Sequence, residues 1–232
     1  MSLPPVDWLP EVDTASDWPT SVPVAWEDGE KFSLPALLTT LRAILFHPRR
    51  FFASLPRRGD LSEALGFVLL VGSTGILGLF LWQAVLAGNI LGPAPAGMLG
   101  TFLAALQDDR RLVLGLVLLT PLYVALAQFL FSGFLLVAVR LTGSTGTSFT
   151  AVFRVVAYAQ AAAVLCLVPW VGGVAARLWH LALIIFGLTQ ALRLSMGKAI
   201  LTLVLTILLL AFCFFLLLLL LGFLGLWRFL WG

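Results

Sequence analysis

The stretch Phe149 to Gly173, FTAVFRVVAYAQAAAVLCLVPWVGG, is an apolar run that stops at Pro169 and turns through Trp170, Val171, Gly172 and Gly173. A second apolar run, Val174 to Leu192, begins at once. A spanning helix needs about 20 mostly apolar residues to cross a hydrocarbon core of roughly 30 Å. Residues 151–168 and 174–192 therefore read as two spans joined by a tight turn. Ala157, Ala159, Ala161, Ala162 and Ala163, followed by Gly172, Gly173, Ala175 and Ala176, allow close backbone approach where lipid supplies no hydrophobic force between helices. The pair is expected to form a tight helical hairpin.

Outward from the hairpin lie three more apolar runs: Leu65 to Ala87, Leu112 to Val139, and Ala199 to Leu226. At 1.5 Å per residue the second of these exceeds the hydrocarbon thickness and should tilt or kink at Pro121. A Gly/Pro-rich loop, residues 88–111, separates the first two runs. The last is mostly leucine and ends in Trp227, Arg228, Phe229 and Trp231, an aromatic belt with one cationic anchor. The chain is 61% hydrophobic and 11% charged over 232 residues, against about 45–50% and 25% in soluble domains. The fold class is thus an all-α membrane protein: a five-transmembrane-helix bundle over residues 59–232, preceded by a cytoplasmic amphipathic helix.

That helix comes from residues 33–58. Leu34, Leu37, Leu38, Leu41, Ile44 and Leu45 recur at three- and four-residue spacing, with Ser33 placed to cap and Pro35 tolerated in the first turn. Arg49, Arg50, Phe51, Phe52, Arg57 and Arg58 follow Pro48 and mix basic with aromatic side chains. Such a segment suits the headgroup layer, its aromatics dipping inward and its arginines facing anionic lipid. Residues 1–32 carry seven acids, Asp7, Glu11, Asp13, Asp17, Glu27, Asp28 and Glu30, among five prolines. They read as a disordered tail whose Trp8, Trp18 and Trp26 could dock a protein partner or the membrane surface.

With the N-terminus inside, ten basic residues fall on the cytoplasmic side, Arg154 among them, and four on the other. The positive-inside rule then puts the C-terminus outside. The net charge of +3 reflects these flanks and does not call for a nucleic-acid partner.

Several patterns, taken in order, resemble the bacterial branch of the Yip1 family of five-helix membrane proteins. Leu41 to Pro56, LRAILFHPRRFFASLP, is similar to its helix, proline, basic residue and Phe-Phe approach to the first span. Phe149 to Gly173 resembles its third-span signature, a Phe and Arg ahead of a Tyr-Ala pair and then a Pro-x-x-Gly turn. Trp179 to Lys198, WHLALIIFGLTQALRLSMGK, fits its fourth span. The resemblance implies residence in the bacterial cytoplasmic (inner) membrane. Eukaryotic relatives act in membrane traffic and bind small prenylated GTPases, but the Asp-Leu-Tyr-Gly motif of that form is replaced here by Val156-Ala157-Tyr158-Ala159. GTPase binding is therefore not carried over.

Polar groups inside a bilayer are costly and so are functional candidates. Gln83, Tyr123, Gln128, Tyr158, Gln160, His180 and Gln190 qualify, and no Asp, Glu, Lys or Arg is expected mid-span. Read blandly, they bond helix to helix. Read functionally, Tyr158, Gln160 and Gln128 would line a polar path. His180 cannot pair with His47, which belongs to the opposite side. Gly72-Ser73-Thr74-Gly75 is better read as a close helix contact than as a serine hydrolase. No pattern calls for a cofactor, a metal or catalysis. The expected function is a non-enzymatic membrane protein that organises bilayer or protein partners. The alternative is a channel, transporter or lipid scramblase with a polar path near the third span, and a homo-oligomer stays open. A compartment reporter fused after Gly232 is expected to read non-cytoplasmic; a cytoplasmic signal would remove one span.

Overall fold

A computed structural model describes residues 24–28, 33–56, 60–89, 110–144 and 146–231. Every regular element among them is helical. In chain order they are α1 (Ala25–Asp28), α2 (Leu34–Phe46), α3 (Pro48–Ser54), α4 (Leu61–Asn89), α5 (Arg110–Leu141), α6 (Phe149–Ala159), a 3-10 segment (Gln160–Leu167), α7 (Gly172–Gln190) and α8 (Met196–Trp231). Five stretches are long and apolar enough to cross a membrane: Leu61–Trp82, Val113–Leu141, Phe149–Leu167, Gly172–Gln190 and Met196–Phe223. They match the five expected spans within a few residues. α5 continues unbroken through Pro121.

The third span changes helix type halfway. In a 3-10 helix the side chains at i and i+3 eclipse one another, which limits most runs to three or four residues. Here the run is eight residues, and four of its five i, i+3 pairs contain an alanine (Ala161, Ala162 or Ala163), so eclipsing is cheap. The longer rise of about 2.0 Å per residue lets a nineteen-residue span cover a core of roughly 30 Å.

The 3-10 segment is the centre of the bundle, lying between α4 and α7. At Gly75 a Cβ would sit 2.6 Å from the Ala163 Cβ and 2.7 Å from its carbonyl oxygen, so only glycine lets α4 come this close. At Gly172 a Cβ would stand 2.1 Å from the Leu165 carbonyl oxygen, which explains why a glycine opens α7 beneath the turn. The tight hairpin and the Gly-Ser-Thr-Gly contact are thus backbone-to-backbone packing. α5 lies against α4, α6 and α8, and α8 leaves the bundle after Thr206, its next residues facing lipid.

α2 begins where expected, with the Ser33 side chain accepting from the Ala36 N–H. Its apolar residues share one face, as the spacing requires, but the protein covers only part of it: Leu41 and Ile44 are buried while Leu34 and Leu38 are exposed. The larger departure concerns Phe51 and Phe52, expected to dip into lipid. Both are enclosed by the protein, because α3 packs onto α7 and turns their rings inward. Ala162 is fully buried in the 3-10 segment, whereas Leu209 on α8 is half-buried. Overpacking a filled core costs about 1–3 kcal/mol. Ala162→Leu should therefore lower the melting temperature in detergent more than Leu209→Ala; equal shifts would contradict this placement of the core.

Candidate functional site

α6 presents Arg154 and Tyr158, four residues apart and hence on one face. Arg154 lies about 8 Å along its helix at 1.5 Å per residue, and it is fully buried. A charge at the centre of a bilayer costs about 2.5–3.5 kcal/mol on insertion scales, so an enclosed guanidinium needs a partner. The partner is Glu27, from the short helix α1. The Arg154 Nη2 group donates to both Glu27 carboxylate oxygens, and the Tyr158 hydroxyl donates to Oε1 of the same carboxylate. Among the described residues the Nε and Nη1 groups of Arg154 have no hydrogen-bond partner.

α1 is only four residues long and could not persist as an isolated helix. Its neighbours hold it. The Trp26 backbone N–H donates to Thr40 Oγ1 at 3.1 Å, and its indole Nε1 donates to the Glu63 carbonyl at 2.8 Å. The indole stands edge-on to Phe67, with ring centroids 6.2 Å apart. Val24 and Trp26 are each 4% exposed. The Tyr158 ring is packed between Phe51 of α3, at 5.3 Å, and Phe67 of α4, at 5.1 Å. Five elements, α1, α2, α3, α4 and α6, thus converge on one ion pair.

Two sequence expectations change here. Arg154, counted in the sequence as a basic residue flanking a span, is fully buried inside the third span instead. Ala25 to Asp28, within the segment expected to be disordered, form a helix, and Val24 and Trp26 are buried against the bundle. The rest of that tail, residues 1–23 and 29–32, lies outside the described residues, as do Arg57 and Arg58 and the side chain of Gln83. Arg49 and Arg50 are exposed, with the Arg49 guanidinium 5.5 Å above the Phe186 ring.

The expected polar path is not one path. Gln128 is buried, its Nε2 donating to the Phe153 carbonyl at 3.2 Å and to Ser132 Oγ at 3.4 Å, a tie between the second and third spans, while its Oε1 has no partner among the described residues. Tyr158 belongs to the ion pair. Gln160, Tyr123 and His180 instead line a separate cavity of about 800 Å³. The His180 Nδ1 lies 3.0 Å from the Ala159 carbonyl oxygen, which fixes it as the donor. Gln190 is exposed at the end of α7. Ser73 is buried without a hydrogen-bond partner for its hydroxyl, and no bond joins it to His180 among the described residues.

The cavity and the ion pair sit at opposite ends of the bundle. Arg154 lies in the first half of the third span, while the cavity is lined by the later halves of the first and third spans and the earlier halves of the second and fourth. Successive spans run in opposite directions, so those halves share one end. Among the described residues no three His, Cys, Asp or Glu side chains gather as a metal site.

The family model described as the Yip1 domain matches residues 42–224, which contain Arg154, Tyr158 and the whole cavity but not Glu27. Neither the curated proteins nor the solved structures contain a match to the chain.

Removing one member of a buried pair leaves an uncompensated charge and costs about 3–5 kcal/mol, whereas replacing both by apolar residues is often neutral. Glu27→Leu and Arg154→Leu are each expected to lower the melting temperature in detergent, and the double variant is expected to regain most of the loss. A double variant as unstable as the two losses added together would show that the charges do not depend on each other.

Proposed function

This chain belongs to the Yip1 domain family, and we propose that it is a non-enzymatic organiser of membrane or protein partners, with its N-terminal segment as the contact that partners engage. The observation that carries this reading is the Glu27–Arg154–Tyr158 centre, which ties a four-residue helix to an integral membrane bundle. A buried ion pair adds little net stability while its separation is costly. A partner that binds the acidic segment around Trp26 must therefore supply Arg154 with a new anion or leave the pair closed. That requirement makes release selective for partners of defined charge.

The orientation that suits this role has the N-terminus in the cytoplasm and the C-terminus outside, in a bacterial inner membrane. Arg42, Arg49 and Arg50, exposed along α2 and α3, then face the anionic headgroups of the inner leaflet. A homo-oligomer is compatible with the long lipid-facing part of α8. A second reading, transport or lipid scrambling, has the cavity lined by Gln160, Tyr123 and His180 in its favour. The burial of Gln128 and Tyr158, each bonded away from the cavity, weighs against a path that continues from it.

A photo-cross-linking residue at Ala25 in native membranes tests the organiser reading, with flux of ions and labelled lipid measured in proteoliposomes. The expected result is adducts within the chain for the native sequence, adducts to a second polypeptide when Glu27→Gln frees the segment, and no protein-dependent flux. Adducts confined to the chain in both, together with flux lost in Gln160→Leu, would turn the reading to transport.

A further inference from the structure

The cavity at the end away from Glu27 has a feature that packing of the bundle does not need. Its walls are apolar, with Ile76, Leu79 and Phe80 of α4, Leu116 and Leu119 of α5, and Leu181 of α7 among them. It reaches the bundle surface between α5 and α7, where Leu119 is 60%, Tyr123 63% and Leu181 37% exposed. A volume of about 800 Å³ falls within the range of roughly 300–1,000 Å³ typical of ligand sites. Its mouth lies between two helices long and apolar enough to cross a membrane, whose outward faces are apolar.

One cation stands on the cavity wall. Arg177 is exposed and has no acidic partner among the described residues. It lies five residues into α7, about 8 Å below the helix start at 1.5 Å per residue. Two tryptophans lie at the same end: Trp170, 68% exposed in the turn before α7, and Trp82, which closes the first span and donates its indole N–H to the Leu167 carbonyl at 3.0 Å. Tryptophans at span ends sit at headgroup level, and a long arginine side chain extends towards that level from just beneath it. The arrangement is a cationic rim over an apolar hollow that opens sideways.

We infer that this cavity holds one phospholipid, its acyl chain in the apolar hollow and its phosphate against Arg177. The occupant is a lipid rather than a free phosphate because the walls supply far more apolar than polar surface, and one guanidinium on an exposed rim is a weak site for a small anion. It is a phospholipid rather than a neutral lipid because the Arg177 charge at the rim, which no acidic side chain meets among the described residues, is complementary to a phosphate, which guanidinium groups bind through paired N–H donors. In the orientation proposed above the lipid belongs to the outer leaflet, yet the site itself does not depend on the organiser reading.

The test uses the full chain in a mild uncharged detergent and native mass spectrometry. Three probes are titrated: phosphatidylglycerol, diacylglycerol with the same chains, and glycerol 3-phosphate. The expected result is a single phosphatidylglycerol adduct that survives detergent levels sufficient to strip other lipid. Arg177→Gln should weaken it about tenfold, the loss of one charge-assisted contact, and Ala127→Phe, which fills the cavity, should abolish it. Diacylglycerol and glycerol 3-phosphate should both bind more weakly than the phospholipid. Equal binding of diacylglycerol, or an adduct unchanged in Arg177→Gln, would remove the headgroup contact and overturn the inference. So would binding of glycerol 3-phosphate as tight as that of the lipid. Arg177 is exposed, so its substitution leaves the fold intact and decides the matter even if Ala127→Phe fails to fold.

Discussion

A guanidinium closed off from both water and lipid has to be met by a negative charge, and in this bundle the charge comes from outside the membrane-spanning part of the chain. Arg154 is fully buried on the third span, and Glu27 reaches it from a helix of four residues. Much of the membrane-proximal structure follows from that demand. α1 is held where its carboxylate meets the arginine. Trp26 fixes its pose through Thr40 and Glu63, and the rings of Phe51 and Phe67 close around Tyr158 so that its hydroxyl can serve the same carboxylate.

The two ends of the bundle are chemically unlike, and the packing between them keeps them apart. At one end an ion pair is sealed by aromatic rings. At the other an apolar hollow opens towards lipid beneath Arg177. The 3-10 segment, packed against α4 at Gly75 with no room for a side chain, forms part of the wall of that hollow, and Gln128 ties α5 to α6 through the Phe153 carbonyl.

The five spans were legible because hydrocarbon thickness sets a minimum apolar length, and the runs around Pro169, Gly172 and Gly173 meet it whatever their neighbours do. The Ser33 cap and the close contact at Gly75 were legible for a similar reason, since each rests on local chemistry or on residue size. Glu27 was not legible. It is one of seven acids in the first 30 residues, and only a contact 127 residues away distinguishes it. Arg154 was read as a topology anchor because burial cannot be seen in a charge that stands near a span end. The four-residue spacing of Arg154 and Tyr158 was the available signal, and it lacked an identified anion. Phe51 and Phe52 were assigned to lipid for the same reason, since an amphipathic pattern says which residues leave water but not whether protein or acyl chains receive them. The 3-10 register of Gln160–Leu167 was hidden because an alanine-rich stretch is compatible with either helix type.

The central claim is that the segment around Glu27 is part of the folded membrane domain. Hydrogen exchange of the chain in bilayer nanodiscs addresses it most directly. The Trp26 amide donates to Thr40 Oγ1 at 3.1 Å and the Glu27 amide to the Val24 carbonyl at 2.7 Å. Both amides are therefore predicted to exchange far more slowly than in an open chain. Open-chain rates at Trp26 and Glu27, with α6 still protected, would show that Arg154 keeps its place without the segment and would contradict the account.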